Sequence, residues 1–184
     1  MSTSFDRQKF AELMLYIADR SSEDPRFGAT KLNKILCFSD FKAFGMHGES
    51  ITGATYRRLD CGPAPLELLE TLSVMERGGE IERVDRKYFN YQQKVIKSLR
   101  QPQIRDLLPN DEVAIVDQVI EKPRVLNASE VSAPSHLDED WQLAGDREVI
   151  PYESAYISNR SPTSRALALW GQWVDDERPE SKPP

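Results

Sequence analysis

Cysteine and histidine can bind metal or attack a substrate, so their spacing comes first. Cys37, His47, Cys61 and His136 are separated by 10, 14 and 75 residues. Structural zinc sites draw ligands in close pairs from one loop, and this spacing offers no such pair. Cys61 with His136 as nucleophile and base would need proximity in space and an orienting acid, which neither neighbourhood supplies. No glycine-rich loop of the phosphate-cradling kind occurs. The expectation is a protein that is not an enzyme, with no catalytic residue, no metal site and no cofactor. His136 and Trp141 have two readings: an anchored imidazole beside a packed indole, or an interface anchor, since tryptophan is enriched among binding hot spots.

Charge is the other chemical resource. The formal net charge of −6 argues against general nucleic-acid affinity, but it is unevenly spread. Residues 83–105 hold seven cations against one acid, and residues 129–153 hold seven acids against one cation. Arg83, Arg86, Lys87, Lys94, Lys97 and Arg100 make a possible nucleic-acid-facing patch, whose binding would weaken steeply with salt. Glu67, Glu70 and Glu76, on the helix expected before it, would repel phosphate. The acidic segment is a candidate for meeting a basic protein surface. The plain alternative for both is solvated surface.

The elements that must position these groups follow from periodicity. Phe10, Leu13, Met14 and Ile17 mark one face of a helix over 5–20. Thr30 reads as the cap of a second helix, with Leu32, Ile35, Leu36 and Phe38 or Ser39 inward, stopping near Gly45. Residues 51–56 suit a loop entering a short strand. Gly62-Pro63 lies in a turn, and Pro65 opens a third helix with Leu66, Leu69, Leu72 and Met75 on its face, ended by Gly78-Gly79. Glu80 to Asp85 and Tyr88 to Ile96, about a charged Asp85-Arg86-Lys87 corner, read as a β-hairpin, and Pro109-Asn110 caps a helix with Val113, Ile115 or Val116, Val119 and Ile120 inside. A short helical stretch follows Ser129, another runs through Trp141, 150–152 is extended, and a last helix starts at Pro162. The acidic, proline-rich residues 175–184 have the composition of a disordered tail. The fold class expected is α+β, mostly helical, with a small antiparallel sheet or hairpin and winged-helix-like order. One domain spans 1–174, followed by the 175–184 tail. No long apolar run and no basic, apolar leader is present, so a cytoplasmic location away from membranes is expected.

The most specific pattern is Lys31-Leu32-Asn33-Lys34-Ile35-Leu36-Cys37-Phe38-Ser39-Asp40-Phe41. After it come Gly48, Ile51-Thr52-Gly53-Ala54-Thr55-Tyr56 and Gly62-Pro63-Ala64-Pro65. Ser135-His136, Trp141, Gly145 and Val149-Ile150-Pro151-Tyr152-Glu153-Ser154-Ala155 form a later block. In this order, over about residues 10–158, the blocks resemble the KLNKLLYFAD, ITGATY and YGPAP signature of the SocA/Panacea antitoxin family. Cys37 and Cys61 stand where that pattern has an aromatic or a tyrosine, and Ser39 replaces its alanine.

The resemblance implies an antitoxin encoded beside a toxin gene in bacteria or phages. Its partner would be the cognate toxin, neutralised by direct binding. An adaptor of the SocA kind would instead deliver the toxin to a housekeeping protease such as ClpXP, and DNA-binding autoregulation through the basic hairpin is a further alternative. The family positions, structural or partner-binding, are Lys31, Asn33, Lys34, Asp40, Gly53, Tyr56, Gly62, Pro63, His136, Trp141, Pro151 and Tyr152. Asn33 is expected to bond loop backbone near the Gly53 and Gly62 turns.

Overall fold

The structure, a computed structural model, describes residues 4–59, 62–88, 91–121, 147–153 and 155. Within them the order is α1 (Arg7–Arg20), α2 (Ala29–His47), β1 (Tyr56–Arg57), β2 (Ala64–Pro65), α3 (Leu68–Arg77), β3 (Ile81–Tyr88), β4 (Tyr91–Ser98) and α4 (Asn110–Glu121). The α+β, mainly helical class holds, with two separate antiparallel two-stranded sheets. Among the described residues no helix is long and apolar enough to cross a membrane. The expected helices after Ser129 and Pro162, and the 175–184 tail, lie outside the described residues.

Helix α1 starts where Asp6 caps it, its carboxylate accepting from the Lys9 N–H at 2.9 Å. Phe10, Leu13, Met14 and Ile17 are buried as the periodicity requires, and Glu12, Leu15 and Ala18 are buried with them. The stripe is wider than one face because α1 packs against α2, α3, β4 and α4 together.

Helix α2 begins one residue before Thr30, capped by Gly28, and continues through Gly45 to His47. A helical glycine costs only about 1 kcal/mol relative to alanine. The stop comes instead at Gly48, whose left-handed φ of 79° lets its N–H close on Phe44 O at 2.8 Å. Gly28 is required for a different reason: a Cβ there would lie 2.9 Å from the Lys94 carbonyl oxygen.

The third helix departs from expectation. Ala64–Pro65 pairs with Tyr56–Arg57 as a strand, so α3 starts at Leu68. Its buried face is Leu68, Thr71, Leu72 and Met75, while Leu66 and Leu69 are exposed. A strict three-residue step falls about 60° short of a full turn each time. Of the expected stripe, Leu72 and Met75 therefore lie on the core and Leu66 and Leu69 do not, whereas 68, 71, 72 and 75 all stay on it.

The hairpin forms, in register from Ile81↔Ser98 to Tyr88↔Tyr91, but the expected corner at Asp85-Arg86-Lys87 lies within β3, because the strand pairing continues to Tyr88. Ile81 and Ile96 are buried at its base. In α4 the inward residues are Ile115, Val116, Val119 and Ile120. Residues 147–150 return to β1: Arg58 N–H reaches Glu148 O at 2.9 Å, and Ile150 N–H reaches Tyr56 O at 2.8 Å.

Candidate functional site

The family positions converge on α2. Asp40 is completely buried. Its Oδ1 accepts from the Thr52 N–H at 2.8 Å, and its Oδ2 accepts from the Thr52 hydroxyl at 2.6 Å and the Tyr56 hydroxyl at 2.7 Å. Burial pushes the Asp40 carboxyl up to about 6, outweighing the hydrogen bonds from Thr52, Tyr56 and the Ile51 backbone that favour its charge. Gly53, at a left-handed φ of 68°, turns the loop so that residues 51–56 wrap this carboxylate. Its N–H donates to the Ser50 hydroxyl at 3.1 Å.

Rings close the same region. Phe41 meets Tyr56 edge-on at 5.5 Å and Tyr152 at 4.8 Å, and Phe44 stacks on Tyr152 at 5.4 Å. The Tyr152 hydroxyl donates to Ala54 O at 2.6 Å. Burial is the main cause that raises both phenols, Tyr56 and Tyr152, far above the usual tyrosine range. Gly62 turns at φ 93° and is buried with Pro63 between β1 and β2, while Pro151 is exposed.

Earlier on α2, Lys31 forms a buried ion pair with Asp24 at 2.6 Å. The Asp24 carboxylate also accepts from the Arg26 N–H at 2.8 Å, so this pair organises the loop between α1 and α2. Lys34 is buried too. Asn33 is partly buried and its Oδ1 has no hydrogen-bond partner among the described residues, and the side chain that bonds the 51–56 loop is that of Asp40. Asp40 reaches residues 51–56 because it sits near the end of α2 that the chain leaves by. His136, Trp141 and Cys61 lie outside the described residues, as does most of the acidic 129–153 segment. Cys37 is buried, His47 is 3.8 Å from Asp111, and no cluster of three or more metal-type ligands occurs among the described residues.

The basic patch divides. Arg100 is bound to Glu12 and Glu80: its guanidinium reaches Glu12 Oε2 at 3.0 Å and Oε1 at 2.5 Å, and its Nε reaches Glu80 at 2.8 Å. Burial alone would raise the Glu12 carboxyl. The Arg100 hydrogen bonds, the Gln103 N–H at 2.6 Å and the Arg100 charge together bring it below its usual value. Arg83 is likewise paired with Glu76, its Nε at 2.9 Å. Arg100 thus ties the hairpin's base to α1 through the buried Glu12, while the Arg83–Glu76 pair lies at the surface. Lys97 lies 3.9 Å from Glu82. Arg86, Lys87 and Lys94 remain exposed farther out. Sequence reasoning missed Glu12 and Asp24; a lone acid flanked by Leu13, Met14 and Leu15 was the available signal.

With this geometry in place, comparison with known families is informative. The family described as Antitoxin SocA-like, Panacea domain, matches residues 32–142. The chain belongs to this family. The matched stretch contains α2 from Leu32, the Asp40-bound loop, both ribbons and α4, while Glu12, the Asp24–Lys31 pair and Tyr152 lie outside it. No curated protein and no solved structure matches the chain.

Proposed function

We propose that this Panacea protein is an antitoxin that neutralises its cognate toxin by binding it directly, without catalysing a reaction. Membership of an antitoxin family carries the reading. The use made of the family side chains supports it: Lys31, Asp40, Gly53 and Tyr56 bind other parts of the same chain. A motif used to set the fold leaves recognition to the surface that the frame presents. A specific complex buries about 1,600 Å² in total, an area that a domain of this size can supply.

The product of the adjacent gene should arrest growth when expressed alone, and co-expression of this chain should restore it. The two proteins should co-purify as one species. Growth arrest that persists with this chain in excess would sink the proposal. Restored growth with a shortened toxin half-life and no stable complex would replace binding by delivery to a protease.

A further inference from the structure

The hairpin has two unlike edges. Leu99 N–H donates to Glu80 O at 2.9 Å, which makes Glu80 and Leu99 a hydrogen-bonded pair. In an antiparallel ladder such pairs recur every second residue. Glu82, Val84 and Arg86 therefore turn their backbone groups toward β4, and Arg83, Asp85 and Lys87 turn theirs outward. On the far side, the outward Lys94 carbonyl lies against Gly28, and the Gln93 amide donates to Phe27 O at 2.8 Å. The β4 edge is thus covered by the turn that enters α2. On the β3 side, the Arg83 side chain is paired with the Glu76 carboxylate, its Nε at 2.9 Å. Beyond it, the outward N–H and C=O groups of Asp85 and Lys87 have no partner among the described residues. Eight residues of strand extend about 26 Å, so this open edge lies on the distal half of the arm.

The charges around it are selective. Arg86, Lys87 and Lys94 are exposed, with no ion pair among the described residues, and Asp85 is the only acid nearby. Charged edge strands resist pairing with ordinary apolar strands. A cationic edge resists them while favouring a strand that brings acids.

We propose that the outer edge of β3 at residues 83–87 is the docking edge for an acidic, extended segment of the toxin, which adds as a third strand. The proposal rests on the antitoxin reading and deepens it. Backbone pairing supplies the register, and Arg86, Lys87 and Lys94 supply the preference for acids.

The test uses the full chain and the product of the adjacent gene, followed by amide hydrogen exchange. Asp85 and Lys87 amides exchange fast in the free protein and should slow at least tenfold in the complex, while the Val84 and Arg86 amides are protected in both. Asp85→Pro removes an outward N–H and no cation, Lys87→Pro removes an outward N–H together with one cation, and in both the hairpin's own ladder survives. Each should weaken the complex at least tenfold without lowering the melting temperature by more than a few degrees. R86Q with K94Q should weaken it several-fold and flatten its salt dependence. A stable complex with unchanged exchange at Asp85 and Lys87 overturns this inference and leaves the antitoxin reading standing. Absence of any complex overturns both. Retardation of a short DNA duplex at low salt, lost in the glutamine variant and kept in Asp85→Pro, would assign the arm to phosphate and overturn the docking edge.

Discussion

Asp40 accepts hydrogen bonds from Thr52 and Tyr56 while fully out of water, so a small change at this position is felt throughout the loop it holds. Asp40→Asn is nearly isosteric but turns an N–H group toward donors. Stability should fall by about 2–4 kcal/mol in urea unfolding, the range for breaking a buried charged network. Tyr56→Phe removes one donor and should cost about 1.5–3 kcal/mol. The pH dependence has a definite sign. The folded-state value of about 6 lies above the ordinary aspartate value of 3.8, so the native protein holds this proton more tightly than the unfolded chain. That contribution is fully present below about pH 4 and is lost as pH rises through 6. The stability difference between wild type and Asp40→Asn should therefore shrink from pH 4 to pH 6; a difference that stays flat would refute the assignment. Glu12 has the opposite sign: its lowered carboxyl contributes stability above the usual glutamate range, which fades as pH falls through the depressed value.

At the scale of elements, the contacts between α1, α3 and the hairpin decide the response. Arg100→Ala would strand the buried Glu12 carboxylate and should cost about 3 kcal/mol in chemical unfolding, with Glu12→Gln in the same background recovering part of it. Gly28→Ala pushes a methyl against a backbone oxygen at 2.9 Å, which cannot rotate away, and should cost about 1–3 kcal/mol. Gly79→Ala meets nothing within 4 Å and should lose only the roughly 1 kcal/mol of its left-handed backbone. The corrected phase of α3 is also testable. Leu68→Ala should destabilise by about 2–5 kcal/mol, and Leu69→Lys should stay within about 0.5 kcal/mol. If the two costs were reversed, the phase with Leu66 and Leu69 inward would be right.

For the molecule as a whole, α2 is the axis. Polar contacts tie it to both flanking loops, Lys31 to the preceding one and Asp40 to the following one, and β4 packs against α1, α2 and the turn at Phe27–Gly28. Proteolytic nicking in the free protein should occur along the arm before α2, and toxin binding should suppress it.

The sequence by itself determined the family, the order of the four helices, the presence of the hairpin and most of the inward faces of α1 and α4, because these depend on local spacing that a single strand or helix expresses alone. The turns at Gly53 and Gly62 were equally legible, since only glycine takes a left-handed backbone cheaply. Tertiary structure decided the rest. Lys31 and Lys34 are polar by type yet buried, and burial depends on every neighbour packed against α2, not on their own spacing. Arg83 and Arg100 looked like one patch with Arg86, Lys87 and Lys94 until Glu12, Glu76 and Glu80 were brought beside them from distant or differently folded positions. Charge at a residue is a local property, but which charge remains available to a partner is set by what the folded chain places within reach of it.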